Sequence, residues 1–138
     1  MESPPENRKK ILVVDDEPDV LKFVKLRLES QGYEVYTAEN GETAIHVTKK
    51  IRPDLILLDI KLPLFDGYEV LRRVRGDPEL SETPIVLATA DASVRVQEGS
   101  KLLDANSYLM KPFDSEEMFK VISRELRKKE SKGIHPQP

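Results

Sequence analysis

Cysteine is absent from the sequence, which excludes a disulfide framework and any thiolate metal site. No apolar run approaches the ~20 residues that a membrane-spanning helix needs. The opening residues, MESPPENRKK, lack the apolar stretch of a secretory signal. Nor is there an excess of basic charge of the kind that marks nucleic-acid binding: 34% of residues are charged, with a net charge of −3. No internal repeat or low-complexity segment appears. These absences lead to the expectation of a soluble, cytoplasmic protein with no direct nucleic-acid binding and no membrane contact. A chain of 138 residues suits one domain with a full core.

What is present alternates between two periods. Short apolar runs at 11–14, 55–58 and 85–88 show no polar alternation and read as strands buried on both faces. Residues 33–37 and 108–110 are weaker strand candidates. Amphipathic stretches lie between them. Val20, Phe23, Val24 and Leu28 fall on one helical face, and Gly32 follows as a C-terminal stop. A second helix is expected over 42–51, ended by Pro53. A third follows the Asp66-Gly67 turn with Tyr68, Val70, Leu71 and Val74. A fourth is expected near 92–103, although Gly99 in its interior costs ~1 kcal/mol relative to alanine. The last has a cap at Asp114 with Glu117 three residues on and an apolar face of Met118, Val121, Ile122 and Leu126. Residues 1–8 read as a flexible lead-in, 9–130 as the folded domain, and 131–138 as a flexible tail or the start of a linker.

Strands alternating with helices five times imply an α/β protein with a parallel sheet covered on both faces. Ligands of such sheets bind beyond the carboxyl ends of the strands. Those ends carry Asp15 and Asp16, Asp59 after the run DLILL, Thr89, and Lys111. Taken singly, several have ordinary readings. Asp15 and Asp16 suit an exposed turn, with Asp16 or Asp19 capping the next helix; Thr89 suits a strand end; Lys111 suits the surface. Together they place three carboxylates, a hydroxyl and an ammonium on one edge. Hard oxygen donors with room for water and phosphate oxygens suit Mg²⁺, and a cation relieves the repulsion of clustered acids.

At these residues the sequence resembles a known family. The pair Asp15-Asp16, the run from Asp59 through Lys61, Pro63 and Phe65 to Asp66-Gly67, the stretch Pro84 to Ala90 with Thr89, and Tyr108 to Phe113 with Lys111-Pro112 are similar to the receiver domains of bacterial two-component response regulators. The spacing from Asp16 to Asp59, on to Thr89 and on to Lys111 fits, and the resemblance covers roughly residues 9–128. It implies a (βα)5 doubly wound, five-stranded parallel sheet of flavodoxin-like type with strand order 2-1-3-4-5. It also implies a cis bond at Lys111-Pro112.

The resemblance further implies roles. Asp59 would accept a phosphoryl group from a phosphohistidine on a sensor histidine kinase or a histidine phosphotransfer protein. Asp15 and Asp16 would hold Mg²⁺ with Asp59, Asp16 directly and Asp15 mostly through water, and the backbone carbonyl of Lys61 would join them. Thr89 and Lys111 would take phosphoryl oxygens. Thr89 and Tyr108 would act as the switch that remodels the face of the fourth helix, fifth strand and last helix for a downstream effector. The chain would be a monomer or a phosphorylation-dependent dimer. It would catalyse its own phosphorylation and dephosphorylation without being a turnover enzyme.

Lys61 and Asp91 flank the site at positions that tune phosphoryl lifetime in the family. Here they either pair across its mouth or remain separately solvated. Asp104 stands where a glycine is common, and Phe65 where Met or Leu is common. His46 and His135 match no functional position. Two alternatives stay open: a haloacid-dehalogenase-like phosphohydrolase, which needs D-x-D where this chain has Asp15-Asp16-Glu17, and a non-phosphorylated interaction module on the same fold. Too few residues follow the last helix for a DNA-binding unit, so the chain is expected to be either a stand-alone receiver or a piece of a longer regulator.

Overall fold

The structure, a computed structural model, describes residues 7–64, 66–90 and 105–133. The described residues form, in chain order, β1 Lys10–Val14, α1 Pro18–Ser30, β2 Glu34–Ala38, α2 Gly41–Ile51, β3 Leu55–Asp59, α3 Gly67–Gly76, β4 Ile85–Thr89, β5 Ser107–Met110 and α4 Ser115–Gly133. The sheet is parallel throughout, in the order β2-β1-β3-β4-β5. This is the expected doubly wound, flavodoxin-like topology. The expected helix at 92–103 lies outside the described residues, as do Phe65, Asp91, Gly99, Asp104 and His135.

Side chains of successive strand residues point to opposite faces, and this alternation divides the core in two. Leu12, Val14, Ile56, Leu58, Ile85 and Leu87 pack with Ala44 and Ile45 of α2 and with Val70, Leu71 and Val74 of α3. Ile11, Val13, Leu55, Leu57, Val86, Ala88 and Leu109 pack with Leu21, Val24 and Leu28 of α1 and with Met118, Val121, Ile122 and Leu126 of α4. The three central strands are apolar on both sides, which explains their unbroken apolar runs.

Helix ends follow local chemistry. The Asn40 side chain accepts from Thr43 N at 2.8 Å and starts α2 one residue before expectation. Arg52, in a left-handed conformation, ends it before Pro53. Asp66 caps α3 through Glu69 N at 3.0 Å, and Asp114 accepts from Glu117 N at 2.8 Å at the start of α4. Gly32, at φ 92°, follows α1 as expected.

One expectation is corrected. The buried stripe of α1 is Leu21, Val24 and Leu28, whereas Phe23 is 52% exposed. Apolar residues stand on two overlapping helical faces of α1, and packing onto β1 and β2 selects the one through Leu21; Phe23 lies instead under the Arg27 guanidinium, 5.0 Å from its ring centroid. Helix α4 runs to Gly133. Near its C-terminal half, Glu125 is buried and accepts a hydrogen bond from the Ser107 hydroxyl of β5, with Lys128 Nζ at 3.5 Å. That buried carboxylate was not anticipated, because Glu125 looks like one more charge in a charged helix.

Candidate functional site

Parallel register aligns the strand ends. Val14 pairs with Leu58, Asp59 with Ala88, and Thr89 with Met110. One residue beyond Val14, Asp15 comes level with Asp59, and Lys111 lies one residue past Met110, the partner of Thr89. Alternation then sorts them: Val13, Leu57 and Leu109 face α1 and α4, so Asp15, Asp59 and Lys111, each two residues on, share that side. Thr89 and Tyr108 follow the alternation of Leu87 toward the α2 and α3 side.

Lys111 is the hub of this edge. Its Nζ donates to Asp15 Oδ2 at 2.6 Å and to Asp59 Oδ2 at 2.9 Å. The other oxygens serve matching backbone turns: Asp15 Oδ1 accepts from Glu17 N at 3.0 Å, and Asp59 Oδ1 from Lys61 N at 3.1 Å. Each acid is thus oriented by the amide two residues downstream and bridged to the other by one ammonium. The Lys111 backbone is itself fixed, its N–H donating to Thr89 O at 2.8 Å before the cis Lys111-Pro112 bond.

Burial sets the electrostatics. Asp15, Asp59 and Thr89 are 3%, 8% and 2% exposed. Burial pushes the Asp59 carboxyl above its ordinary value, and the hydrogen bond and charge of Lys111 and the Lys61 amide offset this only in part. Burial pulls the Lys111 ammonium down, but its bonds to Asp15 and Asp59 outweigh that and hold it above the ordinary lysine value.

Asp16 lies at the surface, and a carboxylate oxygen from each of Asp15, Asp16 and Glu17 falls within 4.8 Å of the others. This all-oxygen set suits a hard cation such as Mg²⁺. Glu17 was not singled out in the sequence, although it directly follows the acidic pair. Asp59 lies outside this trio, with its carboxylate engaged by Lys111 and Lys61. Lys61 is exposed and Tyr108 half-buried. His46 is exposed on α2, as expected of a helix-surface residue.

Gly67 is a second residue whose importance the sequence understated. Its N–H donates to Ile60 O at 2.6 Å, and a Cβ there would stand 2.5 Å from Asp59 O and from Ile60 Cα. The signal was present as the Asp66-Gly67 turn, but not its contact with Asp59. Beside the site lies a groove of about 450 Å³ lined by Val20, Phe23, Lys111, Pro112 and Phe113 among others.

A doubly wound parallel sheet with acids and a lysine converging at its carboxyl edge has close counterparts. Residues 11–123 match the response regulator receiver domain, and the chain belongs to that family of two-component signalling domains. It is 36% identical over 130 residues to the regulatory protein AtoC of Escherichia coli K12, covering 91% of this chain and 28% of that protein. It spans about half the length of other curated relatives that it matches. Its fold is similar to the chemotaxis response regulator CheY4 of Vibrio cholerae, with a TM-score of 0.80, 33% identity, and 86% and 99% of the two chains covered. It is also similar to the receiver domain of sensor histidine kinase PA1611 from Pseudomonas aeruginosa PAO1, with a TM-score of 0.79, 32% identity, and coverage of 86% and 98%. That structure is described with a magnesium ion coordinated in the active-site cleft. Receiver domains of response regulators are signalling domains that take input from histidine kinases and pass it to effectors. The comparisons do not favour the phosphohydrolase or the inert module.

Proposed function

We propose that this chain is a Mg²⁺-dependent phosphoacceptor whose acceptor is Asp59. The observation that carries the reading is the bridging of Asp15 and Asp59 by Lys111 Nζ, at 2.6 and 2.9 Å, beside buried Thr89. An Asp59 carboxylate oxygen attacks the phosphorus of a phosphohistidine. The new O–P bond forms as the P–N bond breaks, and the imidazole leaves. A carboxyl made more basic by burial is the better nucleophile once ionised. Lys111 neutralises charge on the transferred group, and the Thr89 hydroxyl donates to one of its oxygens; such fixed donors are what phosphoryl transfer requires of a protein.

Asp15 and Asp16 would hold Mg²⁺ together with Asp59 and the Lys61 carbonyl, with Glu17 close by. Bound there, the ion supplies further positive charge for the phosphoryl oxygens. Lys61 and Asp91 tune the lifetime of the product. Thr89 and Tyr108 form the switch, which alters the face of β5 and α4 and so the binding of a downstream effector, as a monomer or through phosphorylation-dependent dimerisation. The working unit spans residues 9–130 together with the rest of α4. It acts in the cytoplasm, where kinases form phosphohistidine from ATP, without direct nucleic-acid or membrane binding of its own and without multiple turnover.

Incubation with acetyl phosphate and Mg²⁺ tests this. The expected result is a phosphoryl mass gain on Asp59 that disappears in Asp59→Ala and with chelator. Absence of the gain, or its persistence in Asp59→Ala, overturns the reading, and steady turnover of a phosphoester would assign a hydrolase instead.

A further inference from the structure

Leu64 combines two unfavourable features. Its φ is 68°, in the left-handed region where a Cβ crowds the following carbonyl. Its side chain is also 71% exposed, so burial does not offset the strain. Phe23 and Leu26 are exposed too, but on a regular helix where the backbone is unstrained.

The chain around Leu64 leaves little room to relax. Lys61 N is held by Asp59 Oδ1, Gly67 N by Ile60 O, and Pro63 O accepts from Gly41 N at 3.4 Å. The connection between β3 and α3 is thereby pinned at both ends and in the middle, and the left-handed residue is imposed by its surroundings. Glycine or asparagine meets that requirement with less strain. Neither local conformation nor the core therefore selects leucine at this position.

We propose that Leu64 is a docking residue for the protein that delivers the phosphoryl group, contacting an apolar patch beside that partner's phosphohistidine. The inference rests on Asp59 being the acceptor. Asp59 is 8% exposed, at the floor of the strand edge. A donor protein that brings its phosphorus to that depth must lay its surface on the loops around it, including the one that carries Leu64. A small phosphodonor has no such need. The left-handed backbone holds the leucine outward before the encounter, so little side-chain freedom remains to be lost on binding. The contact removes an exposed apolar side chain from water.

The test separates docking from chemistry. Leu64→Asn relieves the strain, so the thermal midpoint should rise by about 3 °C. Labelling of Asp59 by acetyl phosphate with Mg²⁺ should stay within about twofold of wild type, because positioning at Asp59 is untouched. Transfer should fall about tenfold from an autophosphorylated histidine kinase, the one in a purified panel that phosphorylates the wild-type chain fastest. Leu64→Met, which keeps the apolar reach, should retain most of the transfer. Unchanged kinase transfer in Leu64→Asn overturns the inference. So does an equal loss with acetyl phosphate, which would make Leu64 a loop-positioning residue. A panel in which no kinase reaches a wild-type chain that acetyl phosphate labels overturns it as well. Failure of acetyl phosphate to label wild-type Asp59 would instead sink the phosphoacceptor reading and this inference with it.

Discussion

The Cα of Gly67 lies against the backbone of Asp59, close enough that a Cβ on it would fall 2.5 Å from the Asp59 carbonyl oxygen. That contact, with the Gly67 N–H on Ile60 O, fixes how β3 leaves the sheet and hence where the Asp59 carboxylate stands. Gly67→Ala should cost about 1–3 kcal/mol of stability, the range for overpacking a close contact. It should also slow acetyl phosphate labelling of Asp59. Urea unfolding and labelling kinetics check both, and a variant that matches wild type in the two measurements would show that the backbones separate freely.

Lys111 is the cation between Asp15 and Asp59. Lys111→Met leaves two buried carboxylates facing each other without it. In chelator at neutral pH the loss should be about 2 kcal/mol, somewhat less than for a fully buried pair because Lys111 is partly exposed. It should shrink toward acid pH, where a carboxyl takes up a proton. Urea unfolding at a neutral and an acidic pH reads the difference, and an equal loss at both would assign it to lost packing alone.

Asp59 itself opposes folding when ionised. Its folded pKa lies above the ordinary value, mainly through burial. Such a group contributes stability that is fully present below the unfolded pKa and is lost as pH rises through the folded one. Asp59→Asn should therefore raise the thermal midpoint by a few degrees at neutral pH, with the gain vanishing below the ordinary carboxylate range. The folded pKa of Lys111 is also raised, so its own contribution persists through neutrality and fades only above the ordinary lysine value. Melting curves across pH check the Asp59 claim, and a destabilised Asp59→Asn at neutral pH would refute it.

Metal binding should separate the two acids that follow β1. Asp16 is exposed, whereas Asp15 is buried with Lys111 and the Glu17 amide. Asp16→Asn should weaken Mg²⁺ binding by on the order of tenfold or more and leave the metal-free midpoint unchanged. Asp15→Asn should alter both. Titration calorimetry and melting with and without Mg²⁺ distinguish them, since a ligand that binds only the folded state raises the midpoint by mass action. Equal metal-free midpoints for the two variants would contradict the assigned burial.

Much of this was legible in the sequence because its signals are local. Unbroken apolar runs at 55–58 and 85–88 report strands buried on both faces. Asp114 and Glu117 report a helix start, and Gly32 a helix end. Asp15, Asp59 and Lys111 stood out because charged residues directly follow apolar strands. Other features were hidden because they depend on distant chain segments. Phe23 and Leu21 are equally apolar in the sequence, and only the docking of α1 onto β1 and β2 decides which is buried. Glu125 is one acid among many on a charged helix until β5 brings Ser107 against it.

The order of strands and helices, the division of apolar and polar positions, and the residues at the strand ends were determined by the sequence itself, through hydrophobic periodicity and turn chemistry. The tertiary structure alone decided which of those ends meet. Parallel register sets Asp15 level with Asp59 and carries Lys111 two residues past that level, and strand alternation turns all three to one side, so that a single ammonium reaches two carboxylates across 96 and 52 positions of chain. It also decided what each acid faces, since burial and the amides of Glu17 and Lys61 are properties of the assembled edge. Periodicity specifies which side chains are buried, whereas register and packing determine the partners they meet.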